Sequence, residues 1–150
     1  MKLLNFFLSA LSAGDYAALA AGMSEVTLAP AEVLTDVGSP VEWIYFPSSA
    51  CVSFITVMSD GKAVETSTVG REGVVSLLDI MADRPSRSMV IAQIGGSAMR
   101  APAAEFRSHL ARSPDLMALA LLQVRAAALQ AEQAAACNAS HGVGERLARW

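Results

Sequence analysis

Three places in the chain hold residues whose types and spacing could do chemistry. The first is the corner Gly70-Arg71-Glu72-Gly73. Corners of this kind often leave backbone N–H groups exposed where an anion can sit, and Arg71 could add its guanidinium to an anionic effector. The same residues also make a solvated charged turn whose glycines serve geometry, and that reading is preferred. Glu65, on the segment before the corner, faces either a pocket or solvent. The second place is Cys137, His141 and Glu145, at i, i+4 and i+8. On one continuous helix they would share a face and could hold a metal, but Gly142 and Gly144 argue against a straight helix there. The third is scattered: His109, His141 and seven methionines are heme-ligand types that nothing in the sequence positions. Cys51 and Cys137 alone cannot supply an iron–sulfur cluster within one chain. No Ser-His-Asp set stands in a recognisable context, and neither a Gly-x-x-x-x-Gly-Lys loop nor a His-Glu-x-x-His motif occurs, so no enzymatic activity is expected.

The elements that must position these residues are mostly short strands. In 52–57, Val52, Phe54 and Thr56 alternate with Ser53, Ile55 and Val57. Ser59-Asp60-Gly61 supplies a hairpin turn, with Gly61 free to take positive φ, and 62–69 returns. Further strands are predicted at 25–28, 32–34, 41–46, 89–94 and 97–100, and a short helix at 74–81. Such turn-punctuated strands indicate a β-roll or jelly roll. Residues 3–11 and 15–23 read as two short helices covering the end of a sheet, with Asp15 as the second N-cap.

After residue 101 the periodicity becomes helical. Pro102 opens a helix to Ala111, and Ser113-Pro114 restarts as N-cap and N1. From 116 to about 137 there is no Gly or Pro and Ala dominates, giving more than 20 helical residues, roughly 30 Å long. Leu122, Leu129 and Ala136 repeat every seven residues, as do Leu119, Ala126 and Gln133. These rows predict a coiled-coil seam and a homodimer through 116–137. The alternative, a helix packed only on its own roll, is disfavoured because one small roll cannot cover that length.

Composition sets the limits. With 150 residues, 53% hydrophobic, the chain has enough for one sizeable core. A net charge of −3 lacks the positive excess of an autonomous DNA binder. Two distant cysteines offer no disulfide framework, which fits a reducing cytoplasm. The interrupted N-terminus does not read as a signal peptide. No run approaches the roughly 20 apolar residues of a membrane span.

Ile44-Tyr45-Phe46-Pro47, Asp60-Gly61 and Val69-Gly70-Arg71-Glu72-Gly73 occur in that order ahead of Ala136-Cys137-Asn138, His141 and Glu145-Arg146-Leu147-Ala148-Arg149-Trp150. Over nearly its whole length the chain thereby resembles the sensor domain of the Crp/Fnr family of bacterial transcription regulators. The resemblance implies a mainly β fold, a double-stranded β-roll of the cyclic-nucleotide-binding-domain type, with short N-terminal helices and a long C-terminal dimerisation helix. It implies a roll over 1–112, a dimer helix over 113–140, and in 141–150 the start of a winged helix-turn-helix domain absent from this chain. DNA would be bound only through that further domain. Cys137 and His141 would then sit at the hinge, in a structural hydrogen bond.

The family's best-known ligand is a cyclic nucleotide, and the resemblance places its site residue by residue. Arg87-Ser88 matches the Arg-Ser pair that holds the phosphate, where Arg forks onto two oxygens and Ser donates a hydroxyl. Ser76-Leu77 stands where a Gly-Glu pair meets the ribose, and leucine accepts no hydrogen bond. Leaving ribose hydroxyls unpaired costs roughly 1–3 kcal/mol each. The adenine-contacting hydroxyls fall near Ala131 and Glu132, again without Ser or Thr. A cyclic nucleotide bound in the usual manner is therefore not expected. An unidentified small effector near Arg71, Glu72, Ser76, Leu77, Arg87 and Ser88 remains open, as does a stand-alone dimeric interaction module without a ligand. The sequence implies no cofactor.

Overall fold

The computed structural model describes residues 5–147. Leu3 and Leu4, read as the start of the first helix, and the tail residues 148–150 lie outside that range. Among the described residues the order is α1 (Phe6–Ser9), α2 (Ala13–Ala20), β1 (Ser24–Leu28), β2 (Val33–Thr35), β3 (Trp43–Pro47), β4 (Cys51–Val57), β5 (Ala63–Val69), α3 (Leu77–Ala82), β6 (Met89–Ile94), β7 (Gly96–Pro102), α4 (Ala103–Leu110), α5 (Pro114–Ser140) and α6 (Val143–Leu147). The strands form two antiparallel sheets, ordered β1-β7-β3 and β2-β6-β4-β5.

The two sheets share a core. Leu28, Tyr45, Val52, Val90, Ala92 and Ala98 come from five strands of both sheets and bury one another, with Val75 beneath them. A second core lies on the other face of the three-stranded sheet. There Ile44 and Phe46 of β3 meet Phe7, Leu8, Leu19, Leu77, Ile80, Phe106, Leu110, Leu116 and Ala120 from the helices. β3 is thus covered on both faces, Tyr45 entering the roll and its neighbours the helical layer. A strand covered on both sides has no polar face to show, which is why Trp-Ile-Tyr-Phe is a continuous apolar run.

The hairpin forms as expected. Gly61 has φ +83°, and Met58 and Lys62 close the turn. The β4–β5 register shifts between Phe54 and Ile55, with Thr66 of β5 the extra residue. Ser53 is fully buried, its hydroxyl donating to Glu65 Oε2 at 2.7 Å.

Two N-terminal boundaries differ from expectation. The first helix is a single turn whose N-cap, Asn5, is fully buried. Asn5 Oδ1 accepts from Leu8 N, and its Nδ2 donates to the carbonyls of Pro47 and Gly73, both at 2.9 Å. One side chain therefore ties α1 to the end of β3 and to the Gly70–Gly73 corner. The second helix is capped by Ser12, not Asp15. Ser12 Oγ accepts from Asp15 N at 3.1 Å and donates to Asp15 Oδ2 at 2.7 Å. Asp15 is the third helical residue of a capping box, so both residues serve the cap, and the earlier one sets the boundary.

Ser113 and Pro114 start α5 as read. The helix runs 27 residues, roughly 40 Å. Leu116 and Ala120 are buried, and Leu119 and Val124 pack against the helical core. From 125 to 136 it is almost entirely exposed. Its C-cap, His141, has extended backbone (φ −115°, ψ 147°). The helix therefore breaks before Glu145, and Cys137, His141 and Glu145 do not share one continuous face.

Candidate functional site

The Gly70–Gly73 corner largely satisfies its own hydrogen bonds. Gly70 N donates to Glu72 Oε1 at 2.7 Å, and Gly73 N to Gly70 O at 3.2 Å. Arg71 accepts on its carbonyl from Phe6 N, and its guanidinium lies 5.2 Å from the Phe6 ring centroid. Both Arg71 and Glu72 are exposed. The corner thus carries an intramolecular role, docking α1 onto the roll.

Four residues past Gly73, the chain enters α3. Ser76 adopts a left-handed backbone (φ +61°, ψ +20°), is buried, and makes no side-chain cap bond. The residue type that takes this conformation without strain is glycine. Leu77 follows with its side chain inside the helical core, pointing away from any polar ligand. Arg87 is exposed and Ser88 half-buried. Ser88 donates its N–H to the buried Ser86 hydroxyl, which in turn donates to the Ser88 carbonyl at 2.8 Å.

One residue of this region was not singled out from the sequence. Asp79, in the first turn of α3, is half-buried. Burial pushes its carboxyl up from the ordinary 3.8, while the neighbouring Ser86 hydroxyl and the Arg87 charge pull it down. A carboxylate thus stands beside Arg87, and an incoming phosphate would meet that negative charge. Glu132 is exposed on the outer half of α5.

The six seam positions divide. Leu119 packs on its own core, whereas Leu122, Ala126, Leu129, Gln133 and Ala136 are exposed. Gln133 Nε2 also donates to the buried Cys137 Sγ at 3.3 Å.

A further polar hub joins three helices. Asp15 is buried, and its Oδ1 lies 3.0 Å from His109 Nε2 on α4. The Ser113 hydroxyl at the start of α5 and the Ser12 hydroxyl hold the Asp15 carboxyl below its ordinary 3.8; burial opposes them, and His109 reinforces them. A depressed folded value means that this stabilisation is fully present above the ordinary carboxylate range. It is lost as the pH falls from about 4 through the folded value. Thermal melting of the wild type should accordingly fall more steeply between about pH 5 and 3 than that of Asp15→Asn, which should melt lower at pH 7. Parallel curves would show that the hub carries no linkage.

The geometry defines a β-roll of the cyclic-nucleotide-binding-domain type, with N-terminal helices and a long C-terminal helix. No protein-family model and no curated protein sequence matches the chain. Among solved structures it is similar to CLP from Xanthomonas campestris, described as a c-di-GMP-responsive global regulator. The TM-score is 0.74 at 16% identity, covering 92% of this chain and 70% of that one. It is similar to the sensor domain of the transcriptional regulator DNR from Pseudomonas aeruginosa, with a TM-score of 0.63, 19% identity, and 85% and 83% coverage. It is also similar to the regulatory subunit of a cAMP-independent protein kinase A from Trypanosoma brucei (TM-score 0.64, 20% identity, 76% of this chain). There the chain spans less than half the length, 46%. The neighbours include sensor domains of Crp/Fnr-type regulators, so the resemblance read from the sequence holds at the level of the fold. Among the described residues no helix is long and apolar enough to cross a membrane.

Proposed function

We propose that the chain is the effector-sensing and dimerisation domain of a cytoplasmic Crp/Fnr-like transcription regulator. Through its dimer helix it would control a winged helix-turn-helix domain that begins near residues 141–150. The observation that carries this reading is the exposed apolar row on a long helix rooted in the roll's own core: Leu116 and Ala120 are buried, while Leu122 and Leu129 project free. A ligand or partner that changes packing of α3 and the Gly70–Gly73 corner against α5 would bias how two such helices cross, and so how attached DNA-binding domains are oriented. Contacts already link these parts, since Gln123 of α5 packs against Gly73.

A second reading, a dimeric module that binds no small molecule, is favoured by Leu77 in the core and by Asp79 beside Arg87. Native mass spectrometry of the purified chain, alone and with cyclic AMP, separates the two. A dimer retaining an added mass of metabolite size supports the sensor. An empty dimer that ignores cyclic AMP supports the module, and a monomer overturns both.

A further inference from the structure

Away from α3 and Arg87, a half-open groove of about 370 Å³ runs between α2 and α4. Its floor is apolar, made by Ala18, Leu19, Ala101 and Ala104. Its polar groups lie along α4 and the turn after it: Glu105, Ser108, His109 and Arg112. Glu105 and Ser108, at i and i+3, share one face of α4, and Arg112 follows in the turn. There the Arg112 N–H donates to the His109 carbonyl at 2.9 Å.

The two charged ends are held apart. Glu105 lies across α2's exit at Gly22, where a Cβ would come within 2.2 Å of its Oε2. The missing side chain at Gly22 makes room for that carboxylate at one end of the groove. Arg112 lines the other, past the C-terminal end of α4. Between them, His109 is engaged by Asp15, whose carboxylate is already served by Ser12 and His109. That leaves one outward acceptor, Glu105, and one outward cation, Arg112, separated by methyl groups. Their formal charges cancel, so the groove favours a ligand with both signs over a simple anion.

We propose that the α2–α4 groove binds a small zwitterion with an apolar middle, an ω-amino carboxylate. Arg112 and Ser108 take its carboxylate, the alanine and leucine floor takes its methylenes, and Glu105 accepts from its ammonium group. ε-Aminocaproate, with charged ends roughly 7–8 Å apart from bond lengths of about 1.5 Å, is a suitable probe.

The test is titration of the full chain with ε-aminocaproate, caproate and hexylamine, followed by amide NMR shifts and calorimetry. Shifts should cluster at Ala18, Leu19, Ala104 and Ser108, with ε-aminocaproate binding at least about tenfold tighter than either single-charge analogue. Arg112→Gln should weaken ε-aminocaproate and caproate together by about tenfold or more. Glu105→Gln should reduce ε-aminocaproate to the affinity of caproate. Arg87→Gln should change nothing, which separates this groove from the α3 region. The proposal is overturned if millimolar probe moves none of the groove amides, if the three probes bind alike, or if Arg112→Gln binds as the wild type does.

Discussion

Replacing Leu122 with Asp is expected to turn a dimer into a monomer and to weaken association by about a thousandfold or more, roughly 4 kcal/mol. Leu122 is 61% exposed and Leu129, seven residues on, 51% exposed. Leu122 faces away from the core that Leu119 and Val124 contact, and Leu129 lies on the exposed stretch beyond it. Burying a leucine against a partner contributes about 1.5–3 kcal/mol. In a two-fold dimer every substitution counts twice, so Leu122→Asp removes two such contributions and sets two carboxylates in the seam. The control is Leu121, equally exposed at 54% but on neither heptad row. Leu121→Asp should leave the dimer intact. Sedimentation equilibrium at several loading concentrations reads both variants. Equal effects of the two would mean that α5 associates through another face, and a wild-type monomer would remove the seam altogether.

The same helix shows how far the sequence could be read. Ser113-Pro114 and the Gly- and Pro-free run are local signals, and both reappear in α5. So does the hairpin, because Gly61 supplies the one backbone geometry the turn demands. What local pattern could not settle was competition between like residues. Ser12 and Asp15 are both good caps, and only their reciprocal bond decides which marks the helix start. The shift between Phe54 and Ile55 depends on pairing with β5 and leaves no mark on the β4 pattern itself.

The candidate site was legible only in part, for a similar reason. That Leu77 could not receive a ribose hydroxyl follows from its side chain alone. That Asp79 would lie beside Ser86 and Arg87 depends on how α3 folds back on the loop before β6. Glu105, Ser108 and Arg112 look like an ordinary solvated helix face in sequence. They become a groove only because Gly22 and α2 pack opposite them.

Phe46→Ala should cost the most in stability, about 3–5 kcal/mol. The ring is fully buried between Phe7, stacked at 6.0 Å, and Phe106, tilted at 6.1 Å. It therefore joins α1, β3 and α4 at one point. Against a usual total of about 5–15 kcal/mol the loss is a large fraction of the whole. Dimerisation would couple measured stability to protein concentration, so the comparison belongs in a Leu122→Asp background, where the chain is expected to be monomeric. Urea unfolding there should show the midpoint falling with the slope unchanged. Leu78→Ala, at a side chain 63% exposed, should move the midpoint little. The cluster around Phe46 also contains Leu116 and Ala120, the footing of α5. Loss of the ring should therefore loosen the base of α5 as well as the fold, and, if α5 pairs as proposed, Phe46→Ala in the otherwise native chain should dimerise more weakly although it alters no residue of the proposed seam. If its association matched the wild type while its unfolding midpoint fell, the helical core and the seam would be energetically separate, and a signal from the roll would need another route to the partner subunit.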